Sequence, residues 1–148
     1  MVIYIDSSFL LSIIFEEESS EVSGKIWKDY DYRVSSLLLE SECLVTLRRF
    51  YRGNKNNLES NWLSLKEKKL YDLLEEVNIR IFDENIAEYI KLKEDLSACR
   101  ALDAIHLATA LEFKDNCGAE IKICTYDRNM IKTAKKLNFS VLPIEGTD

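Results

Sequence analysis

Four carboxylate-bearing segments punctuate this sequence. In MVIYIDSSFLL an apolar run meets Asp6 and two serines, and in ICTYDRNM a second short apolar run meets Asp127. Both read as strand, acid, helix. In an open parallel sheet, ligands bind beyond the carboxyl ends of the strands, so acids at two such ends can meet in one crevice. A helix N-cap is the competing reading for each, because Asp accepts hydrogen bonds from the free amides of a first turn. Asp103 tips the balance, although a first-turn or N-cap role is the alternative for it too. It sits in RALDAIHLATAL, a helix apolar on nearly every face and therefore buried. An ionised carboxylate there costs on the order of several kcal/mol unless something compensates it. Arg100 could do so, but the pattern favours a bound cation. The fourth segment, LLLESECLVTLRR, offers Glu40 and Glu42. Helical spacing sets Glu40 beside the stripe of Cys43, Leu44 and Leu47, and Glu42 on a more polar edge with Thr46 and Arg49. Periodicity leaves that choice open, and a solvated acid is the alternative for either.

Convergent carboxylates repel one another, and without a cation one or more would stay protonated. Hard oxygen donors without clustered His or Cys suit Mg²⁺ or Mn²⁺. Such an ion can orient a water, lower its pKa and stabilise charge on a phosphoryl oxygen. Ser8 and Thr125 are candidate supporting hydroxyls, against helix capping for Ser8 and strand propensity for Thr125. His106, the sole histidine, lies one turn after Asp103. It reads as a packed, hydrogen-bonded side chain and stays outside the catalytic set. Arg48, Arg49, Arg52 and Lys55 form the densest basic run and could bind phosphates, although cations also suit helix C-termini. Arg128, Lys132, Lys135 and Lys136 form a second basic face. Arg100 is the cation nearest the acids in sequence.

These residues need elements to position them. Residues 1–5 read as a buried strand, Ser7 to Phe15 as a helix and Glu21 to Tyr30 as another. YRVSS, residues 32–36, is a short strand. Residues 37–52 are helical, GNKNN (53–57) is a turn or cap, and Leu58 to Glu76 form a long amphipathic helix with Leu58, Trp62, Leu65 and Leu73 on one side. VNIRIF, residues 77–82, alternates like a strand. Helices follow over Glu84 to Leu96 and Leu102 to Phe113, then a strand over 120–126, a helix through Leu137 and a last strand over 140–142. Alternating strands and helices predict an α/β fold with a mostly parallel central sheet of four to five strands flanked by helices.

The length of 148 residues fits one domain over 1–148. With one Pro and four Gly, no linker or low-complexity segment suggests itself. No Lys or Arg precedes the first apolar run and Asp6 interrupts it, so no secretory signal is expected. No stretch approaches the roughly 20 apolar residues of a membrane span. A cytoplasmic protein without membrane contact is expected. The four cysteines form no C-x-x-C pair, and a single His makes a thiolate–imidazole zinc site a poor fit. Cys43 and Cys124 fall in apolar segments and read as reduced core residues. The net charge of −6 argues against indiscriminate nucleic-acid binding but not against a local basic surface.

Taken in order, the four segments resemble the PIN domain, and most closely the VapC-type toxins of prokaryotic toxin–antitoxin pairs. YIDSSFLL resembles the opening strand of that family, its first acid and the hydroxyl residues after it. VSSLLLESECLVTLRR resembles the Ser-rich strand end followed by a helix with the second acid; counting from Ser35 and Ser36 and back from Leu47, Arg48 and Arg49 puts Glu42 on it. RALDAIHLATAL is the most specific match and carries the third acid, Asp103. CTYDRNM carries the fourth, Asp127, with Thr125 just before it. The order and spacing cover nearly the whole chain. Ala101 stands where family members often have Ser or Thr, and Glu40 is an extra acid.

The resemblance implies a PIN-like fold and a Mg²⁺- or Mn²⁺-dependent endoribonuclease. Asp6, Glu42, Asp103 and Asp127 would be the catalytic and metal-holding residues, with Ser8, Thr125 and Glu40 as possible support. Hydrolysis would leave a 3′-hydroxyl and a 5′-phosphate. Arg48, Arg49, Arg52 and Arg100 are the candidate RNA contacts. A cognate antitoxin would be the partner, able to place a basic side chain among the acids, and a homodimer is a further expectation. Trp27, Tyr30 and Trp62 are read first as core; lining a groove for an antitoxin helix or a second copy is the lesser reading. The rivals are a PIN nuclease of RNA processing without an antitoxin, and an inactive PIN-like binding module. A phosphatase with Asp6 as nucleophile is weaker, since Ser8 stands where a second Asp would be needed.

Overall fold

The computed structural model describes residues 1–144; the last four residues of the expected 1–148 domain lie outside the described residues. The chain runs β1 (Val2–Ile5), α1 (Ser7–Phe15), α2 (Ser20–Asp29), β2 (Tyr32–Ser36), α3 (Leu38–Asn54), α4 (Trp62–Leu74), β3 (Val77–Arg80), α5 (Glu84–Leu92), α6 (Ala101–Cys117), β4 (Ile121–Cys124), α7 (Arg128–Lys136) and β5 (Ser140–Leu142). Short 3₁₀ turns occupy Lys55–Asn57 and Glu94–Ala98. The five described strands form one sheet in the order β3-β2-β1-β4-β5, and every pairing is parallel.

The apolar opening of the chain makes β1 the central strand. Its side chains alternate between two cores, as a strand covered on both faces requires. Tyr4 joins Val34, Ile121 and Ile123 beneath Ile86, Leu96, Leu107, Leu111, Met130 and Ala134, from the α5, α6 and α7 side. Ile3 and Ile5 join Val77 and Cys124 beneath Phe9, Leu10, Ile14, Trp27, Leu39, Cys43, Leu47 and Leu70, from the α1 to α4 side. The result is a three-layer α/β/α stack. Cys43 and Cys124 are buried free thiols.

The chain steps from β1 to β2 to β3 on one side of the sheet and returns to place β4 and β5 on the other. Strand order therefore reverses at β1, where β1 lies beside β4 in register from Val2 opposite Ile121 to Ile5 opposite Cys124. Both strands present their carboxyl ends at this switch point, the place where open parallel sheets hold ligands.

Several boundaries depart from the expected ones: the strands over 77–82 and 120–126 end at Arg80 and Cys124, and the helix expected to Phe113 runs to Cys117. The turn expected over 53–57 is absent as such: α3 continues through Gly53 to Asn54 before one 3₁₀ turn. Its last turns are held from outside, because Phe50 and Tyr51 stack on Trp62, with Phe15 edge-on to Phe50. The helix expected from Leu58 begins at Trp62, and Leu65 is 56% exposed rather than on the packed side. The packed side instead includes Lys66, whose ammonium donates to the Ile14 carbonyl at 2.8 Å, at the open end of α1. A lysine at an inward position blurred the apolar period. The helix expected over 84–96 stops at Leu92, where Lys93 turns extended, and a 3₁₀ turn follows.

Among the aromatic residues, Trp27 is buried, with the Arg33 guanidinium 4.5 Å from its ring centre, and Trp62 lies in the Phe15, Phe50 and Tyr51 cluster. Core packing accounts for both. No described helix is long and apolar enough to cross a membrane.

Leu107 is fully buried where α6 lies on the sheet. Leu107→Ala is expected to lower the unfolding free energy by about 2–5 kcal/mol, the range for emptying a buried leucine site. Urea denaturation with an unchanged m-value would show it; a loss well under that range would mean that α6 can collapse into the space.

Candidate active site

Asp6 ends β1 and is 4% exposed. It does cap α1: Oδ2 accepts from the Ser8 amide at 3.2 Å. It also accepts from the Ser8 hydroxyl and, at 2.8 Å, from the Thr125 hydroxyl beyond β4. All three donors fall on Oδ2, which leaves Oδ1 for another ligand. Ser8 and Thr125 are themselves fixed. Ser8 Oγ accepts from the Tyr126 amide at 2.9 Å, and Thr125 Oγ1 accepts from the Asp127 amide at 3.0 Å. The two hydroxyls thus tie the ends of β1 and β4 together through one carboxylate oxygen.

Asp127 opens α7 and caps it, with Oδ1 accepting from the Met130 amide at 2.9 Å. Capping and a place at the strand end coexist for Asp6 and Asp127, so the two readings of each were never exclusive. Asp103 differs. It stands in the first turn of α6 but caps nothing, and its Oδ2 is buried without a hydrogen-bond partner. The nearest cation is Arg100, whose Nε lies 3.6 Å from Asp103 Oδ2 and whose terminal nitrogen lies 3.6 Å from Asp127 Oδ2. Both distances are too long for hydrogen bonds. The Arg100 side chain is 78% exposed, so it bridges the two acids from the solvent side.

Glu40 and Glu42, between which periodicity did not choose, have different neighbours. Glu42 Oε2 lies 2.8 Å from His106 Nε2. A ligand-type atom from each of Asp6, Glu42 and His106 lies within 4.8 Å of the others. Glu40 accepts from the Tyr71 hydroxyl of α4 at 3.0 Å instead. The buried stripe of α3 is Leu39, Cys43 and Leu47. Glu40 and Glu42 leave that stripe toward different neighbours.

His106 is the residue the sequence reading set aside. It is fully buried and hydrogen-bonded, as expected, but its partner is a candidate ligand. Its other ring nitrogen, Nδ1, lies 2.8 Å from the Tyr4 hydroxyl. Its place one turn after Asp103 was the only sequence signal for that role.

The electrostatics register the crowding. Burial pushes the Asp103 carboxyl above the usual carboxylate range; the charge of Asp127 adds to this, Arg100 offsets part of it, and Asp6 adds more. For His106, burial disfavours the charged ring, but the hydrogen bond to Glu42 and the charges of Asp6, Glu42 and Asp103 outweigh it, and the pKa lies above the ordinary value. Burial, aided by Asp6 and Glu42, pushes the Cys43 thiol up, and burial with Asp6 does the same for Cys124. Neither thiol is a nucleophile here.

The basic candidates separate. Arg48 donates to Glu67 at 2.7 Å and is committed across α3 and α4. Arg49 and Arg52 are exposed on α3. Arg100 stands at the rim of the acids.

A family model described as the PIN domain matches residues 3–136. The chain is 31% identical over 140 residues to a Mycobacterium tuberculosis protein named ribonuclease VapC46, covering 95% of each chain. Its fold is similar to that in a crystal structure of VapBC2 from Rickettsia felis bound to a DNA fragment from their promoter, with a TM-score of 0.64, 14% identity and coverage of 95% and 97% of the two chains. It is also similar to a toxin–antitoxin complex from Klebsiella pneumoniae, with a TM-score of 0.60, 18% identity and coverage of 86% and 88%.

Asp103→Asn removes a charge that the folded state disfavours. Without divalent ions at pH 7, the variant is expected to resist urea better than the wild type. The Asp103 pKa is higher folded than unfolded, so its unfavourable charge is fully present above the folded value and absent below the unfolded one. The advantage of the variant should therefore close as pH falls through that window. Urea midpoints compared at neutral and acid pH check the sign; a variant less stable at pH 7 would contradict it.

Proposed function

The chain belongs to the PIN domain family, and from this premise we propose that it is a divalent-metal-dependent endoribonuclease, the toxin of a VapBC-type toxin–antitoxin pair. The observation that carries the metal site is Asp103: a buried carboxylate oxygen with no hydrogen-bond partner, in a site shared with other acids. Stable proteins rarely leave such an oxygen unpartnered unless a ligand satisfies it. The available donors are oxygens from Asp6, Glu42, Asp103 and Asp127, and they fit Mg²⁺ or Mn²⁺. The relative named a ribonuclease supports the activity.

A bound divalent ion would supply a water of lowered pKa and charge stabilisation at the scissile phosphate. The remaining work falls to the chain. Asp6 would present Oδ1 while Ser8 and Thr125 hold its Oδ2. Asp103 would contribute its unpartnered Oδ2. Glu42 and Asp127 would complete the acidic set from α3 and α7 and orient the attacking water in line with the bond to the 3′-oxygen, which leaves with a proton as the 3′-hydroxyl. Arg100 bridges Asp103 and Asp127 across a distance too long for hydrogen bonding. With a divalent ion held by those acids, Arg100 would be free to meet a phosphate oxygen. Arg49 and Arg52 would extend the contact to RNA along α3, with Arg48 less available because Glu67 holds it. Glu40 is assigned no catalytic part, since it engages Tyr71.

The partner under this reading is an antitoxin whose basic side chain competes for the same acids. The similar structure from Klebsiella pneumoniae is a toxin–antitoxin complex, which supports a protein partner for this chain. A cytoplasmic location and a homodimer are part of the same proposal.

Purified protein should cut members of a panel of structured RNAs with Mn²⁺ and stop when the ion is chelated. Asp6→Asn and Asp103→Asn should each lower the rate by roughly a hundredfold or more, the scale for removing one group that stabilises developing charge. Cutting without co-purification of a small partner protein from the native host would favour an RNA-processing nuclease over a toxin. No cutting and no Mn²⁺ binding would leave an inactive PIN-like binding module.

A further inference from the structure

We propose that His106 is a positioning residue that holds Glu42 in its working orientation, with Tyr4 holding the ring from behind. This rests on the reading of the acids as a metal site. Glu42 reaches the acids from α3, while Asp6 and Asp127 leave strand ends and Asp103 leaves α6. A glutamate has one more rotatable bond than an aspartate and needs a fixed donor to stay in place. His106 supplies it at 2.8 Å from Oε2.

A carboxylate only accepts, so the shared hydrogen sits on His106 Nε2. That holds for the neutral Nε2–H ring and for the charged ring alike. With its hydrogen directed at Glu42 Oε2, the Nε2 of His106 acts on the site through Glu42. The opposite nitrogen, Nδ1, lies 2.8 Å from Tyr4 Oη, which in turn accepts from the Ser36 amide at 3.1 Å. Tyr4 and His106 also meet edge to face, with ring centres 5.8 Å apart and planes at 82°. Both side chains are fully buried. The chain of contacts runs from β2 to β1 to α6 to α3, so the central sheet fixes an acid carried by a helix. Histidines backed by a second partner orient metal-site groups in this way, and losing such support typically weakens metal binding 10–100-fold.

The test compares wild type, His106→Gln, His106→Leu and Tyr4→Phe. Calorimetric titration with Mn²⁺ alone should show affinity falling about 10–100-fold in His106→Leu. His106→Gln, which keeps a donor near the position of Nε2, should recover most of it. Tyr4→Phe, which keeps the ring and loses the hydroxyl, should weaken binding by a smaller factor. In metal-free wild type, long-range ¹H–¹⁵N spectra should show a hydrogen on Nε2. A folded His106→Leu with wild-type Mn²⁺ affinity would overturn the proposal. So would a ring with hydrogen on Nδ1 alone. If His106→Leu does not fold, His106→Gln and Tyr4→Phe carry the test: wild-type binding in Tyr4→Phe together with failed recovery in a folded His106→Gln overturns it. Wild-type protein that binds no Mn²⁺ overturns the metal-site reading instead, and the Nε2 signal still decides whether His106 holds Glu42.

Discussion

Mutual repulsion among carboxylates gathered at the ends of β1 and β4 is the constraint around which this fold is arranged. Each acid taken alone is easy to place at a strand end or in a first helical turn. At Asp103 burial disfavours the ionised form, and the charges of Asp127 and Asp6 add to it. The molecule meets that cost unevenly. Asp6 is relieved by three donors on a single oxygen. Asp127 is relieved by a helix amide, and Glu42 by a buried imidazole. Asp103 receives no hydrogen bond on its buried oxygen, and burial followed by the charge of Asp127 raises its pKa.

The scaffold serves this arrangement. Reversal of strand order at β1 brings the two Asp-bearing strand ends side by side, and the parallel register aligns Ile5 with Cys124 just before them. Ser8 and Thr125 then stitch the loops across that seam. On one face α6 carries Asp103 and His106 a turn apart; on the other α3 delivers Glu42. Two helices from opposite layers therefore reach the same carboxyl edge, which an open α/β sheet permits and a closed core would not.

Much of this was legible in the chain. Strand–acid–helix junctions marked Asp6 and Asp127, and a carboxylate in an all-apolar helix marked Asp103, because each signal is local. Glu42 was not legible from periodicity, since the phase of α3 gave Glu40 an equal claim. Only the resemblance to the PIN family, or the contacts to His106 and Tyr71, separates them. The role of His106 was invisible for a related reason: its partners, Tyr4 and Glu42, are remote in sequence and meet it only in the folded chain. Boundaries slipped where tertiary contacts overrode local signals, as at Gly53 under the Trp62 cluster and at Lys66 reaching the end of α1.

On the proposed function, these acids share a divalent ion. Anomalous diffraction from crystals of the protein grown with Mn²⁺ tests it most directly. The expected result is a peak in direct contact with carboxylate oxygens of Asp6 and Asp103, with Glu42 or Asp127 joining them and Arg100 displaced from its bridge. A map with no peak among the four acids, and Arg100 still spanning Asp103 and Asp127, would contradict it.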